Sequence, residues 1–393
     1  MSRWRAFFLA VALFATLGAC SDDESGGGST ATSDPTQDAA TSSVAPDTTL
    51  DTTPDSVADT VAPDTTAPVT AALEWATVVA PDDCMCGDGS PFNFFVREAS
   101  PTKVLFYFEG GGACFSAETC DPASQTYKRS SGTADDLGQR TTGIFDIGNP
   151  ANPFADYSIV YVPYCTGDVH IGNTTTDYGD GVVVQHKGFV NGSAALATMV
   201  ERFPDATEIV VAGESAGSVP SPLYAGLTAD EYPEARITVL ADGSGAYPDV
   251  PAINAVIGGS WGTLNAVPDW PVNEGVTAET WSFPGLFVKA GTHAPDITFA
   301  RHDYAFDRTQ VFFAGLAGIP ADDLVALIDQ NEAQIEAGGV TLYSYITPGD
   351  DHTVLGGNAF YTQEVNGVLF VDWVTALVTG EPVDDVHCTA CAG

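Results

Sequence analysis

A serine between two glycines follows a run of apolar residues at positions 208–218, EIVVAGESAGS. Residues 208–212 have the composition of a buried strand, and a helix-like segment follows the serine, Ser215. A strand that enters a helix through one tight turn can present a serine hydroxyl as a nucleophile if glycines, here Gly213 and Gly217, lie two residues away on each side. The pattern predicts that Ser215 is a nucleophile; the alternative is a serine in an ordinary glycine turn.

A glycine run follows an earlier predicted strand and could stabilise the charge that such an attack creates. Residues 104–108 are apolar and aromatic, and three glycines from Gly110 to Gly112 lie just beyond them. A tetrahedral oxyanion needs preorganised N–H donors, one from the residue after the nucleophile and others from such a loop. We therefore expect an oxyanion hole formed by Gly111, Gly112 and Ala216, and the alternative is a turn without a chemical role.

Short apolar runs alternate with helix-like segments in residues 71–393, which favours an α/β fold with a mostly parallel central sheet and helices on both faces. The predicted strands are residues 104–108, 158–164, 208–212, 237–241, 297–301 and 341–346. The predicted helices are residues 190–202, 216–227, 321–336 and 370–378. Residues 92–98 are expected to add an antiparallel edge, and Pro222 is expected to kink the second helix.

Six segments occur in an order that resembles a known family. They are CGDGSP from Cys86, EGGGAC from Glu109, PYCTGD from Pro163, GESAG from Gly213, ADGSG from Ala241 and FDRTQ from Phe306. Similar segments follow one another in the pectin acetylesterase and Notum family, and the similarity extends over most of residues 80–380. The resemblance implies an α/β-hydrolase fold and a serine esterase that needs no metal or organic cofactor. It also implies a catalytic triad in the chain order Ser, Asp, His.

The same resemblance implies the other two members of the triad. Asp307 lies in the aromatic-Asp-x-x-Gln segment of the family, and Asp303 and Asp242 are the alternatives because each lies near the end of a predicted strand. The base must follow the acid in the chain, which leaves His352 and His387. We expect His352, because it lies in a loop after the last predicted strand and can reach back over the nucleophile. The earlier histidines are expected to be structural or to line the cleft: His170, His186, His293 and His302.

Cysteines are expected to form disulfides, because the chain carries an export signal. The spacing Cys388-x-x-Cys391 could suggest zinc, but no second pair of that spacing accompanies it, so no metal site is expected. The family resemblance implies the pairs Cys86–Cys165 and Cys114–Cys120. It leaves one bond and one free thiol among Cys84, Cys388 and Cys391.

Residues 251–284 interrupt the alternation of strands and helices with glycines, prolines and three tryptophans, Trp261, Trp270 and Trp281. This Trp-containing insertion is expected near the active site. It either packs its own small core or supplies an apolar or sugar-stacking wall of the substrate site. Many family members have a tryptophan in the oxyanion loop where this chain has Ala113, so the wall beside the reacting carbonyl is expected to differ.

The N-terminal part of the chain predicts export and a lipid anchor. Residues 1–19 combine two arginines with a short apolar run, as a signal peptide does, and the segment from Leu17 to Cys20 resembles a bacterial lipobox. Lipid on Cys20 would hold the protein on the outer face of a bacterial membrane. Residues 20–70 are acidic and rich in Thr, Pro and Asp, which predicts a disordered tether. Residues 71–393 form the predicted catalytic domain.

Net charge narrows the range of partners. The whole chain has a formal net charge of −39, and about −31 of it remains after residue 70. Nucleic acid and anionic lipid headgroups are therefore not expected as partners. The leading hypothesis is an esterase that removes O-acetyl groups from a polysaccharide such as pectin. The alternatives are a carboxylesterase or a lipid or protein deacylase with a longer acyl pocket, an acyltransferase, and a non-catalytic surface protein that binds glycan.

Overall fold

The computed structural model describes residues 74–389 and residue 391. The predicted signal peptide, the lipidation residue Cys20 and the acidic tether lie outside the described residues. Within the described part, none of the helices combines the length and apolar composition that crossing a membrane requires.

A nine-stranded mixed sheet forms the centre of the described chain, with the strand order β1-β2-β4-β3-β7-β8-β9-β10-β13. The first two contacts, β1 with β2 and β2 with β4, are antiparallel, and the remaining contacts are parallel. Two hairpins, β5–β6 and β11–β12, lie outside this sheet. The strands are β1 Ala76–Val79, β2 Asn93–Arg97, β3 Lys103–Phe108, β4 Ser158–Val162, β5 Thr174–Asp177, β6 Val183–His186, β7 Glu208–Glu214, β8 Arg236–Asp242, β9 Thr298–Tyr304, β10 Leu342–Thr347, β11 Glu364–Val365, β12 Val368–Leu369 and β13 Val386–His387.

Helices connect the parallel strands. They are α1 Ala117–Cys120, α2 Ala134–Gly138, α3 Gly188–Arg202, α4 Ser221–Glu231, α5 Pro251–Trp261, α6 Phe283–His293, α7 Arg308–Leu316, α8 Leu324–Ala337, α9 Ala359–Thr362 and α10 Phe370–Thr379. Short 3-10 segments lie at Gly143–Phe145, Ser215–Gly217, Thr263–Ala266, Pro271–Asn273 and Ala278–Thr280.

The hydrophobic core has one layer on each face of the sheet. Successive side chains of a strand point to opposite faces, so Phe106 and Phe108 of β3 join the layer with α3, α4 and α6, while Tyr107 joins the layer with α10. A strand that is covered on both faces must be apolar throughout, which explains the unbroken apolar runs in the sequence. The predicted α/β class, the mostly parallel sheet and the antiparallel edge are confirmed.

One local prediction is wrong. The helix after Ser215 begins at Ser221, so Pro222 lies in its first turn, where the missing N–H would have no partner in any case, and no kink is needed. Residues 251–284 contain all of α5 and the start of α6, with no strand between the two helices, so the alternation is interrupted there.

Candidate active site

Ser215 lies in a tight turn directly after β7. It adopts φ 54°, a left-handed conformation that costs a residue with a side chain about 1–3 kcal/mol. The turn requires glycine on both sides: a Cβ at Gly213 would collide with the Gly217 carbonyl, and one at Gly217 would collide with Phe108. Gly110 also lies close to Ser215, since a Cβ at Gly110 would lie 2.9 Å from the Cβ of Ser215. The glycines therefore have a steric role, and the strained turn presents Ser215 at the carboxyl end of the sheet.

Asp307 and His352 form a hydrogen-bonded pair that joins the ends of two neighbouring strands. His352 Nδ1 lies 2.6 Å from Asp307 Oδ2. Asp307 is the N-cap of α7, and its Oδ1 accepts hydrogen bonds from the N–H groups of Thr309 at 2.8 Å and Gln310 at 2.9 Å. These bonds hold the carboxylate in one orientation, with Oδ2 toward the ring. A carboxylate at Nδ1 selects the tautomer in which Nε2 can accept a proton.

The other ring nitrogen of His352 is buried and has no hydrogen-bond partner among the described residues. The ring packs on Gly243, where an added Cβ would lie 3.3 Å from His352 Cε1, and Gly243 lines the same pocket as Ser215. Burial alone lowers the pKa of His352, but the hydrogen bond and charge of Asp307 more than offset this, so the pKa lies above its usual range.

The alternative acids have other partners. Asp303 forms an ion pair with Arg301 Nε at 2.8 Å and accepts a hydrogen bond from the N–H of Gly245. Asp242 pairs with His302 Nδ1 at 2.7 Å. Neither contacts His352 through its side chain.

The remaining histidines also have protein partners at distances of 2.5–2.9 Å. They are His387 with Ser344, His170 with the Glu109 carbonyl, His186 with Thr166 and Tyr178, and His293 with Asp230. Such contacts suit structural roles.

The glycine loop after β3 leaves its amides free for an oxyanion. The N–H groups of Gly111, Gly112 and Ala216 have no backbone acceptor among the described residues, whereas the N–H of Ala113 donates to Thr126. Gly112 and Ala216 line the pocket together with Ser215. Gly112 has φ +78°, and a Cβ there would collide with the Thr126 carbonyl, so only glycine fits. The geometry is consistent with the predicted donors.

A buried group of charges that was missed from the sequence fixes this loop. The Glu109 carboxylate contacts Lys128 Nζ at 2.5 Å and Arg140 at 2.7 Å and accepts a hydrogen bond from the N–H of Tyr164. Arg140 also reaches Glu214, next to Ser215, at 3.4 Å. Burial raises the pKa of Glu214, and the charge of Arg140 works against that rise. The only sequence signal was an acidic residue at each motif, Glu109 directly before the glycine run and Glu214 directly before Ser215.

An apolar pocket of about 870 Å³, counting the space at its mouth, opens beside Ser215. Its walls come from α5, the start of α6, the end of α7 and the residues after it, and the loops after β4 and after Ser215; they include Val169, Val219, Ile253, Ile257, Phe283 and Ile319. Trp261 and Trp281 are part of this wall, and Trp261 Nε1 donates to the Cys114 carbonyl, just after the glycine loop, at 2.7 Å. Trp270 is not part of this wall: it stacks on His293 at 4.4 Å and donates to Asp230, which fits the packing alternative for this residue.

Three disulfides connect six of the cysteines. Cys86–Cys165 and Cys114–Cys120 are the pairs that the family resemblance implied, and the third is Cys388–Cys391. Cys84 is a buried free thiol, and burial raises its pKa to about 11, which makes it unreactive. A disulfide at 388 and 391 leaves no thiolate pair for zinc.

A comparison with known protein families matches a range of the chain that holds part of this site. Residues 69–257 match the family described as Pectinacetylesterase. This range includes the glycine loop after β3, two disulfides and Ser215, while Asp307 and His352 lie beyond it.

Individual relatives are carboxylesterases by name. "Palmitoleoyl-protein carboxylesterase NOTUM" of Homo sapiens is 28% identical over 177 residues, 42% of this chain and 34% of the human protein. "Palmitoleoyl-protein carboxylesterase notum2" of Xenopus laevis is 31% identical over 136 residues, 34% of this chain and 27% of that protein. "Inactive palmitoleoyl-protein carboxylesterase notum1b" of Danio rerio is 33% identical over 109 residues, 27% of this chain and 76% of that protein. The alignments with the human and Xenopus proteins span only about a third of the length of those proteins.

Proposed function

Because the chain belongs to the pectinacetylesterase family, we propose that it is a serine carboxylic-ester hydrolase with the α/β-hydrolase fold. One observation carries the mechanism: His352 is bonded to Asp307 through Nδ1, and its Nε2 is left free at the site that presents the strained Ser215. Since one relative is described as inactive, the family alone does not establish catalysis. The geometry of the site supports it.

The proposed mechanism has two acyl-transfer steps. Ser215 attacks the ester carbonyl while Nε2 of His352 takes its proton, and Asp307 stabilises the imidazolium that forms. The oxyanion accepts hydrogen bonds from the N–H groups of Gly111, Gly112 and Ala216. His352 protonates the leaving alcohol and then activates the water that releases the acid from Ser215.

The acyl half of the substrate is inferred from the pocket beside Ser215. The pocket has an extended apolar wall, and the methyl of an acetyl group would cover only a small part of it, so the rest would stay in contact with water. We therefore favour an ester with a longer acyl chain, in line with the palmitoleoyl-protein carboxylesterases among the relatives. Removal of O-acetyl groups from a polysaccharide is the second candidate, and the name of the matching family supports it.

Hydrolysis of two model esters tests both points. Wild type should turn over p-nitrophenyl decanoate faster than p-nitrophenyl acetate, and Ser215→Ala should lose nearly all turnover of both. Ser260→Ala is the matched control, because this serine bonds back to the Val256 carbonyl and does not line the pocket. Equal turnover by wild type and Ser215→Ala would refute the serine mechanism, and a preference for acetate would favour the acetylesterase.

The cellular location is also a proposal. We infer an exported protein with a signal peptide at residues 1–19, lipid on Cys20, a tether to residue 70 and a catalytic domain from residue 71. The three disulfides support export, because such bonds persist in oxidising compartments. A mass spectrum of the membrane-extracted protein that begins at an unmodified Ser21 would contradict the anchor.

A further inference from the structure

A second depression lies on the other side of the oxyanion loop. Gly111 and Gly112 form one wall, residues 124–128 form another, and Phe312 and Phe313 of α7 form the third. Gly112 and Phe313 also line the apolar pocket beside Ser215, so the two depressions meet at the glycine loop. We refer to this second depression as the loop groove.

The lining of the loop groove differs in chemistry from the apolar pocket. Ser124, Gln125, Thr126 and Lys128 contribute to it. Gln125 is exposed, has φ 56°, and its side-chain amide makes no hydrogen bond within the described chain. Lys128 uses one of its three N–H groups on Glu109 at 2.5 Å, and no second acceptor contacts it within the described chain. Unsatisfied donors and acceptors therefore face solvent beside the oxyanion loop.

Phe312 adds an aromatic surface to these polar groups. Its side chain is 53% exposed, although burying an aromatic ring is ordinarily favourable. The ring packs edge-to-face on Phe313, with centroids 5.2 Å apart, and this contact limits its orientation. An oriented, exposed ring next to an amide and an ammonium group suits a ligand with one apolar face and hydroxyl groups at its edge.

An ester bound at Ser215 has two ends, and the apolar pocket accounts for the acyl end only. The alcohol end must extend away from that pocket, and the loop groove continues from it across Gly112. The charge of Lys128 is already matched by Glu109, so the described lining of the groove holds no unpaired cation for a carboxylate. We propose that the loop groove binds the alcohol part of the substrate, that this part is a neutral sugar, and that Phe312 and Gln125 select it. The inference rests on the proposed esterase function.

The experiment compares esters that share one acyl group and differ in the alcohol. The substrates are ethyl octanoate, 3-O-octanoyl methyl glucoside, 3-O-octanoyl methyl glucuronoside and an O-octanoyl-serine peptide. The enzymes are the full-length wild type, Phe312→Ala and Gln125→Ala. Val311→Ala is the control, because Val311 is a similarly exposed apolar residue of α7 that does not line the groove.

The measured quantity is the ratio of kcat/KM for the glucoside to kcat/KM for ethyl octanoate. Both substrates meet the same enzyme preparation, so a loss of folded protein cancels from the ratio. Phe312→Ala should lower the ratio about three- to tenfold, as expected for one lost aromatic contact. Gln125→Ala should lower it less, and Val311→Ala should keep the wild-type ratio.

Several outcomes would overturn the inference while leaving the esterase intact. They are an unchanged ratio in Phe312→Ala and a wild type that prefers the glucuronoside or the serine peptide to the glucoside. If wild type hydrolyses none of the esters, or Ser215→Ala hydrolyses them equally well, the proposed function fails and the inference fails with it.

Discussion

Two Asp–His pairs lie at the carboxyl end of the sheet, and their nearest bonds are almost the same. Asp307 and His352 are 2.6 Å apart, and Asp242 and His302 are 2.7 Å apart. The side chain of His302 is fully buried, and its Nε2 bonds to Thr347 Oγ1 at 2.9 Å. The side chain of His352 is 24% exposed, and its Nε2 has no partner among the described residues. A carboxylate beside a ring is therefore not enough to identify a catalytic base.

The second pair supports the first through the backbone. Asp242 Oδ2 accepts hydrogen bonds from the N–H groups of Val354 at 2.8 Å and Leu355 at 2.9 Å, just after His352. Asp242 is thus a positioning residue for the loop that carries the proposed base. We call Asp242–His302 the closed pair, because both ring nitrogens are bonded, and Asp307–His352 the open pair, because Nε2 has no partner among the described residues. The closed pair holds the loop, and the open pair has a ring nitrogen that can accept a proton.

The largest expected effect is a loss of activity that distinguishes His352 from His302. His352→Ala should lower kcat on the order of 10⁴-fold or more, because it removes the proposed acceptor of the Ser215 proton. The loss of stability should be smaller than for removal of a fully bonded ring, since one ring nitrogen has no partner among the described residues and Asp307 keeps its two bonds from backbone N–H groups. Steady-state kinetics and urea unfolding of the same preparation measure both quantities. A His352→Ala variant that keeps a tenth of the wild-type kcat would remove the basis of the comparison.

The second expected effect is a difference in the free energy of unfolding that distinguishes Asp242 from Asp307. Asp242→Ala should lower the free energy of unfolding by roughly 3–5 kcal/mol, because it leaves His302 and two backbone N–H groups buried without an acceptor. Asp307→Ala should cost less stability and more activity, since it removes a helix cap, worth about 1 kcal/mol, and the partner of His352. Urea midpoints and kcat of both variants test this. If fully folded Asp242→Ala is as inactive as Asp307→Ala, the two pairs do not have separate roles.

The contrast between local and distant contacts also explains how much could be predicted from the sequence. The parallel strands could be predicted because burial on both faces makes each an unbroken apolar run. The Ser215 turn could be predicted because its glycines lie only two residues away on each side. The contact of Asp307 with His352 agrees with the choice that the resemblance implied, while catalysis by the pair stays a prediction.

Contacts between distant residues gave no such signal. Asp242 and His302 are 60 residues apart, and Arg140 and Glu214 are 74 residues apart, so no spacing pattern brings them together. The alternatives for Trp270 stayed open for the same reason, because the composition of residues 251–284 does not show which tryptophans turn away from the pocket.

A smaller effect is expected in the pH dependence. Because Asp307 raises the pKa of His352 above 6.5, the neutral, proton-accepting ring forms only as the pH rises through that higher value. The acid limb of kcat/KM should therefore lie above pH 6.5. The stability that the pair contributes has the opposite dependence: it is complete below the unfolded pKa and is lost as the pH rises through the folded pKa.

Titration of the His352 ring by NMR measures this pKa directly. In Asp307→Asn the pKa should fall below the wild-type value, and the His352→Ala spectrum identifies the resonance. A pKa of His352 that stays the same in Asp307→Asn would show that the carboxylate does not control the ring.

The smallest effect concerns Glu214, whose charge, together with that of Asp242, adds to the rise in the pKa of His352. Glu214→Gln keeps the shape of the side chain and removes the charge, so the acid limb should move to lower pH by less than the shift in Asp307→Asn. Glu208→Gln is the matched control, because Glu208 lies at the opposite end of β7 and pairs with Arg236. A shift of equal size in both variants would mean that the limb reports overall charge. A shift in Glu214→Gln alone would show that the buried charges behind the nucleophile act on the open pair.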